Sequence, residues 1–325
     1  MREQPRALET VDANWLIQQP QEEPQWIIED ILPLGLNLLT GAPKIGKSWL
    51  VLDIALKVSE GIPIWGYATR QCDVLYMALE DVYSRIKNRM WQLTDTASDR
   101  LSFAITAEGI GTGLVEQLEW FHDTHPDLGL VIIDTLQKVR TPSRDSAYAA
   151  DYSDIGALKA FADAHDLSLL IIHHTRKQGD SDVFNTVSGT TGITGSADTT
   201  FVLTRQNRID GSGTLTVAGR DIEFQEFKLR FKDCRWELVE KTSVEELEER
   251  DVPDSVLRVV DFMASQPCQW QGTASKLMVA AGVEAVSVAV FGKYLAQHKG
   301  FLEERGIQYK RRRVREGSIL ELSRI

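Results

Sequence analysis

The chain has 325 residues and a mass of 36.5 kDa, which fits one large domain followed by a small one. Hydrophobic residues make up 43% and charged residues 26%, which excludes a disordered or collagen-like chain. No apolar run approaches the roughly 18 residues of a membrane span, and the charged start predicts no secretory signal. The three cysteines, Cys72, Cys234 and Cys268, lie far apart, so the sequence predicts neither a disulfide framework nor a zinc site. We therefore expect a cytoplasmic protein that has no membrane partner.

Charge is distributed unevenly along the chain. The net charge is −11, but residues 254–325 hold 11 Lys and Arg against 7 Asp and Glu, a net charge of +4 that leaves −15 for residues 1–253. This balance excludes a protein that coats nucleic acid with its whole surface, and it leaves room for a local basic patch near the C-terminus.

Predicted strands and helices alternate through the first two thirds of the chain. A polar arm at 1–25 precedes them. Strands are predicted at 31–40, 73–78, 130–133 and 167–172, and helices at 49–60, 82–93, 114–122 and 149–165. This order predicts an α/β fold with a mostly parallel sheet that is covered on both faces.

The pattern changes after residue 198. Apolar segments at 199–206, 214–221 and 226–240 predict late antiparallel strands at the edge of the sheet. An acidic segment at 243–254 is interpreted as a linker, so the predicted domains are 26–242 and 255–325. The second contains predicted helices at 256–265, 273–282 and 288–306, with 269–277 opening the second helix, and a final hairpin, which is the outline of a winged helix.

One motif predicts nucleotide binding. Residues 41–48 follow the GxxxxGKS pattern between a predicted strand and a predicted helix, the context in which backbone N–H groups surround a phosphate. Lys47 is expected to reach the β- and γ-phosphates of ATP, and the Ser48 hydroxyl to hold Mg²⁺. Lys44 is expected to be solvated. The predicted binding residues are Gly41, Ala42, Pro43, Lys44, Ile45, Gly46, Lys47, Ser48 and Trp49.

Two carboxylates are predicted beside that loop. Asp134 ends an apolar strand about 85 residues later and is expected to join the Mg²⁺ shell. Glu80 follows the 73–78 strand, and its carboxylate is expected to orient or deprotonate a water near the γ-phosphate. The neighbouring Asp81 is better suited to stabilise the start of the next helix.

His173 and His174 directly follow the 167–172 strand, where a polar group can sense the γ-phosphate.

Two long loops, 135–151 and 177–198, start at this edge of the sheet and are candidates for binding a polymer, although both also fit plain surface loops. The first loop carries Lys138, Arg140 and Arg144.

Two arginines lie on the late strands. Arg205 or Arg220 could reach the γ-phosphate of a neighbouring subunit, or could pair with a local carboxylate such as Asp221. The sequence does not choose between these roles.

In this order, the motifs resemble those of the RecA-like ATPases, and most of all the RepA-type hexameric replicative helicases and related AAA-family ATPases of plasmids and prophages. The resemblance covers roughly residues 25–240. It is carried by WIIEDILPLGLNLLTGAPKIGKSWL, VLYMALED, LVIIDTLQKVR, LLIIHHTRK and VAGRDIE.

This resemblance implies a ring of six subunits, with ATP at the subunit interfaces and single-stranded DNA in the central channel. It also implies that Glu80 is the catalytic base, that Asp134 is the Mg²⁺-associated residue, that His174 or His173 contacts the active site, and that Arg205 or Arg220 acts in trans. A replication initiator or a primase is a candidate partner.

The C-terminal segment resembles the winged-helix modules of mobile-element replication proteins. Its basic run suits contact with the phosphates of duplex DNA, although a solvated charge run or a subunit contact fits as well. The run consists of Lys310, Arg311, Arg312, Arg313 and Arg315.

Three other functions stay open on the sequence. A RecA- or KaiC-like regulatory or recombination ATPase would assemble on partners without unwinding DNA. A winged-helix regulator would use ATP only to control its affinity for duplex DNA. A small-molecule kinase would need a substrate lid, which two glycine-rich loops fit poorly.

Overall fold

A computed structural model describes residues 10–20, 24–140, 147–175, 183–186, 191–205, 210–242, 252–265, 269–284, 286–314 and 317–324. The chain divides into two compact units, Met1–Lys241 and Thr242–Ile325. Residues 243–251 of the expected acidic linker lie outside the described residues.

The first unit alternates strands and helices along most of its length. Its strands are β1 (Trp26–Ile28), β2 (Leu32–Pro33), β3 (Gly35–Thr40), β4 (Asp73–Ala78), β5 (Leu101–Ala104), β6 (Leu128–Asp134), β7 (Ser168–Ile172), β8 (Thr199–Thr204), β9 (Ser212–Gly219), β10 (Gln225–Lys232) and β11 (Arg235–Thr242). Its helices are α1 (Ala13–Gln18), α2 (Lys47–Glu60), α3 (Tyr83–Leu93), α4 (Leu114–Thr124), α5 (Leu136–Val139), α6 (Ala147–Ala164) and α7 (Thr191–Ser196).

One large sheet organises this unit. Its strand order is β11–β10–β9–β8–β3–β7–β6–β4–β5. The six strands from β8 to β5 in that order run parallel, and β9 and β10 add antiparallel pairs beside β8. The predicted parallel sheet with late antiparallel strands is therefore confirmed. Because the parallel strands point the same way, the segments that follow β3, β4, β6 and β7 meet at one edge.

Apolar layers cover both faces of the sheet. One layer includes α2 and α3, with Leu50, Val51 and Ile86 buried against the strands. The other includes α4 and α6, with Leu118 and Leu158 fully or almost fully buried. All seven residues of β6 are buried, which explains why a continuous apolar run marks this strand.

The structure also contains elements that the sequence did not reveal. The short edge strand β5 is only half-buried at every position, so it lacks a strong apolar pattern. The expected loop 135–151 contains α5 and the start of α6, and its residues 141–146, including Arg144, lie outside the described residues. Within the expected loop 177–198, a 3₁₀ turn (Val183–Thr186) and α7 are described, whereas 176–182 and 187–190 are not.

The second unit is built from short helices and a three-stranded sheet. Its elements in chain order are α8 (Asp254–Ser265), β12 (Gln269–Gly272), α9 (Ala274–Ala280), α10 (Val288–Gln297), α11 (Lys299–Glu304), β13 (Ile307–Val314) and β14 (Gly317–Arg324). The sheet order is β12–β14–β13, and both pairs are antiparallel. Its core contains Val256, Val259, Met263, Leu277 and Phe291.

Two sequence predictions in this unit are wrong. Residues 269–272 form β12 instead of opening a helix, because they pair with β14. The single helix expected over 288–306 is broken at His298, which ends α10 and caps α11.

Candidate nucleotide-binding site

The loop between β3 and α2 has the conformation that its glycines allow. Gly46 adopts a φ of 108°, a backbone conformation that residues other than glycine rarely adopt. A Cβ at this position would approach the Trp236 indole to 3.0 Å. The Trp236 Nε1–H also donates to the Gly46 carbonyl at 3.1 Å, so a residue from β11 holds the loop.

Lys47 is the buried cation of the loop. Its Nζ donates to the carbonyl oxygens of Gly41 and Ala42 at 2.6 and 3.0 Å. Burial lowers the pKa of Lys47 to about 8, and the nearby carboxylates of Asp134 and Glu80 act in the opposite direction. The first helical turn therefore places a positive charge at the predicted phosphate position.

Asp134 ends β6 directly beside this turn. Its carboxylate is 8% exposed and accepts a hydrogen bond from the Tyr76 hydroxyl of β4 at 3.0 Å and another from Ser48. Burial raises the pKa of Asp134, while both hydrogen bonds lower it. Hydroxyl and carboxylate oxygens are ligands that Mg²⁺ prefers, so Ser48 and Asp134 fit the predicted metal site.

Glu80 and Asp81 point to different surroundings. Glu80 lines the pocket, and the Thr135 hydroxyl donates to its carboxylate at 3.5 Å. Asp81 instead forms ion pairs with Arg85 at 2.9 Å and Arg89 at 2.6 Å on α3. Of this pair, Glu80 is therefore the carboxylate that faces the pocket.

Of the two histidines after β7, His174 lines the pocket. Its Nδ1 lies 3.4 Å from the Lys47 Nζ, and burial together with the Lys47 charge lowers its pKa. His173 is buried, and its backbone N–H donates to the Leu39 carbonyl at 2.9 Å. Of the two histidines, His174 is therefore the one placed to meet a ligand in the cavity.

The two late-strand arginines lie in different places. Arg205 lines the pocket, with its guanidinium 5.3 Å from the centre of the Phe231 ring. Arg220 forms an ion pair with Asp198 at 3.2 Å. Asp198 directly precedes β8, so this pair lies at the amino ends of the parallel strands, whereas the pocket lies at their carboxyl ends. Arg220 therefore does not join the pocket of its own chain, and its role in trans stays a prediction.

These groups surround one cavity of about 490 Å³. It brings together ten of the predicted residues and adds Arg89, Thr135 and Phe231, which the sequence did not indicate. The ten are Pro43, Lys44, Gly46, Lys47, Ser48, Trp49, Glu80, Asp134, His174 and Arg205. A cavity of this size is in the range that small ligands occupy.

Replacing Trp236 with phenylalanine is expected to weaken ATP binding. The change removes the donor to Gly46 and should cost about 1 kcal/mol of unfolding free energy. Trp65→Phe is the matched control, because the Trp65 Nε1–H donates to the Trp236 carbonyl at 2.7 Å and not to the loop. Titration with a fluorescent ATP analogue measures the affinity, and equal affinity in both variants would contradict the assignment.

The pKa of Lys47 predicts how its burial affects stability. Between about pH 8 and its ordinary pKa of 10.5, the unfolded chain holds a proton that the folded chain has lost, so the Lys47 contribution to stability rises with pH. Below about pH 8 the buried charge carries its full cost. Without nucleotide, Lys47→Met is expected to be more stable than the natural chain at neutral pH, and this advantage should shrink towards the alkaline end. Urea unfolding measures it, and a pH-independent difference would contradict the prediction.

Comparison with known proteins agrees with this geometry. A family model described as an AAA domain matches residues 2–180, more than half of the chain, so the chain belongs to this family. The parallel sheet and the loop after β3 define its core as a RecA-like P-loop ATPase fold. No curated protein matches the sequence.

Many solved structures match this chain, and two of them illustrate the shared fold. One is described as an ATPase domain and gives a TM-score of 0.53 at 14% identity, over 63% of this chain and 85% of that chain. The other is described as a DnaB-like replicative helicase and its interactions with primase, and it gives a TM-score of 0.53 at 14% identity, over 63% of this chain. The match spans 57% of the helicase chain. At this identity the likeness shows the fold alone.

Membrane-spanning helices and clustered metal ligands are both absent from the described ranges. No helix there is both long and apolar enough to cross a bilayer. Over the same ranges, no three His, Cys, Asp or Glu side chains come together as a group that could hold a metal ion.

Proposed function

We propose that this chain hydrolyses ATP and uses the reaction to act on single-stranded DNA, as a replicative DNA helicase of a plasmid, a prophage or a related mobile element. The observation that carries the proposal is the convergence of Lys47, Ser48, Glu80, Asp134 and His174 on one cavity at the carboxyl edge of the sheet. The site would work in the cytoplasm.

In the proposed reaction, water attacks the γ-phosphorus and the bond to the β–γ bridging oxygen breaks, releasing ADP and phosphate. Glu80 accepts the proton of the attacking water, and Lys47 offsets the negative charge of the β- and γ-phosphates. Ser48 and Asp134 would hold Mg²⁺, which would supply further positive charge to offset the negative charge of the phosphates. His174, next to Lys47, would respond to the loss of the γ-phosphate.

The proposed assembly is a ring of six subunits with ATP between neighbours. Arg205 sits in the pocket of its own chain and is the candidate for contact with that chain's nucleotide. Arg220 is exposed at the far edge of the sheet and is the candidate for contact in trans. Similarity to a replicative helicase described with its interactions with primase supports a primase as a partner, and a replication initiator is the other candidate.

We also propose that the second unit is a winged helix that binds duplex DNA. Its element order and its three-stranded sheet with β14 in the middle support this fold. Lys310, Arg311 and Arg312 of β13 are exposed and could contact phosphates. The predicted Arg313 and Arg315 belong to the same basic run, and no side-chain placement is described for either.

ATP turnover with and without single-stranded DNA tests the proposal, coupled to light scattering of the ATP-bound assembly. We expect single-stranded DNA to accelerate phosphate release, and an ATP-bound ring to separate the strands of a forked duplex. Turnover that ignores DNA would argue against a motor.

The acidic character of residues 1–253 favours a second candidate. With a net charge of −15 over residues 1–253, the chain could act on protein partners as a RecA- or KaiC-like regulatory ATPase. That function predicts ATP-dependent assembly without strand separation, which the forked duplex distinguishes from a helicase.

A further inference from the structure

Helix α3 exposes a row of aromatic and basic side chains on one flank. Tyr83 and Trp91 are 56% and 66% exposed, and Lys87 lies between them. We call these three residues the aromatic stripe. Residues four apart lie on adjoining turns of the same helix face, so the two rings are about 12 Å apart along the helix.

Other faces of α3 are already used. Ile86 and Leu93 are buried in the core. Arg85 and Arg89 form ion pairs with Asp81, at the start of the helix. The positive charge that α3 offers to a ligand on the stripe is therefore that of Lys87.

Lys87 brings this charge directly to an aromatic face. Its Nζ lies 4.7 Å from the centre of the Trp91 ring. A groove of about 360 Å³ runs beside the stripe, with Met90 and Phe103 in its wall and Asp95 as an acidic group in its lining. Aromatic faces, an apolar wall and one cation thus occur at a single place.

From this arrangement we propose that the aromatic stripe binds single-stranded nucleic acid. Bases stack on Tyr83 and Trp91, because every base has a π-face that an exposed aromatic ring can cover. Lys87 contacts the phosphate between them. Charge complementarity favours this ligand over a basic or apolar peptide, because the stripe presents the charge of Lys87 and α3 itself carries no acidic residue, within a chain of net charge −11.

This site goes beyond the proposed function, which names no residue of α3 as a contact of single-stranded DNA. The stripe lies on a different element, the helix α3. Since α3 also carries Arg89, which lines the nucleotide pocket, a ligand on the stripe contacts the helix that borders the site of hydrolysis.

Fluorescence anisotropy of the full chain without nucleotide tests the proposal. The probes are fluorescein-labelled oligothymidylate and oligouridylate of about 20 nucleotides, which separate DNA from RNA. The double variant Tyr83→Ala/Trp91→Ala is expected to weaken binding of the preferred probe at least about 10-fold, whereas Trp91→Phe should stay within about threefold. Lys87→Gln should reduce the slope of log affinity against log salt by about 0.7.

Trp120→Ala is the matched control, because Trp120 is 68% exposed on α4 and lies outside the stripe. It should bind the probes as the natural chain does, and Asp95→Asn should bind more tightly. Unchanged affinity in the double variant would overturn the proposal. A loss of binding together with a change in subunit number by sedimentation would also overturn it, since the stripe would then be a contact between copies. Because no ATP is present, failure of the proposed ATPase does not alter this readout.

Discussion

Lys47→Ala is expected to abolish ATP hydrolysis. The variant loses the buried Lys47 ammonium, which lines the cavity and is expected to face the phosphates, and removing such a charge-stabilising group from a transition state costs a factor of about 10²–10³ or more. Phosphate release under saturating ATP and Mg²⁺ measures the effect.

Lys57→Ala is a suitable control for that experiment. Lys57 lies on the same helix and pairs with Asp53 at 2.7 Å, outside the residues that line the cavity. Because Asp53 also has Arg235 at 3.4 Å, the control should keep its fold and its turnover. Equal turnover in Lys47→Ala and the natural chain would contradict the site assignment.

Glu80→Gln is expected to stop hydrolysis while leaving ATP binding nearly intact. The amide keeps the size of the side chain but cannot accept the proton of the attacking water, and loss of a general base costs a factor of about 10²–10⁴. Single-turnover phosphate release, measured next to equilibrium binding of ATP, separates the chemical step from affinity.

Asp81→Asn provides the contrast to this variant. Asp81 is paired with Arg85 and Arg89, so its loss should lower the melting temperature and leave the chemical step nearly unchanged. If Asp81→Asn stopped hydrolysis and Glu80→Gln did not, the two roles would have to be exchanged.

The parts of the site that could be predicted are those encoded locally. The spacing of glycine and lysine in residues 41–48 predicts a phosphate-binding turn directly. Glu80 and His174 each follow a strongly apolar strand, and Asp134 ends one. Because parallel strands share an edge, their ends could be assigned to one site without knowledge of the pairing.

The rest of the site depends on contacts between distant segments. Phe231 and Trp236 lie on a hairpin about 190 residues after the loop. Nothing in their local sequence indicates that Trp236 contacts Gly46 or that Phe231 lines the cavity. Tyr76 sits within a strand whose apolar pattern explains it as a core residue. The short strands β5 and β12 were missed for a related reason, since their half-exposed positions carry little periodic signal.

The position of β8 has a practical consequence for dissecting the protein. The family match ends at residue 180, but β3 pairs with β8 on one side, and the pocket uses Arg205 and Phe231 from beyond that point. A fragment that ends at residue 180 would lack β8, so β3 would become an exposed edge strand with unpaired backbone groups. The smallest piece worth expressing therefore extends through the hairpin that ends at Thr242.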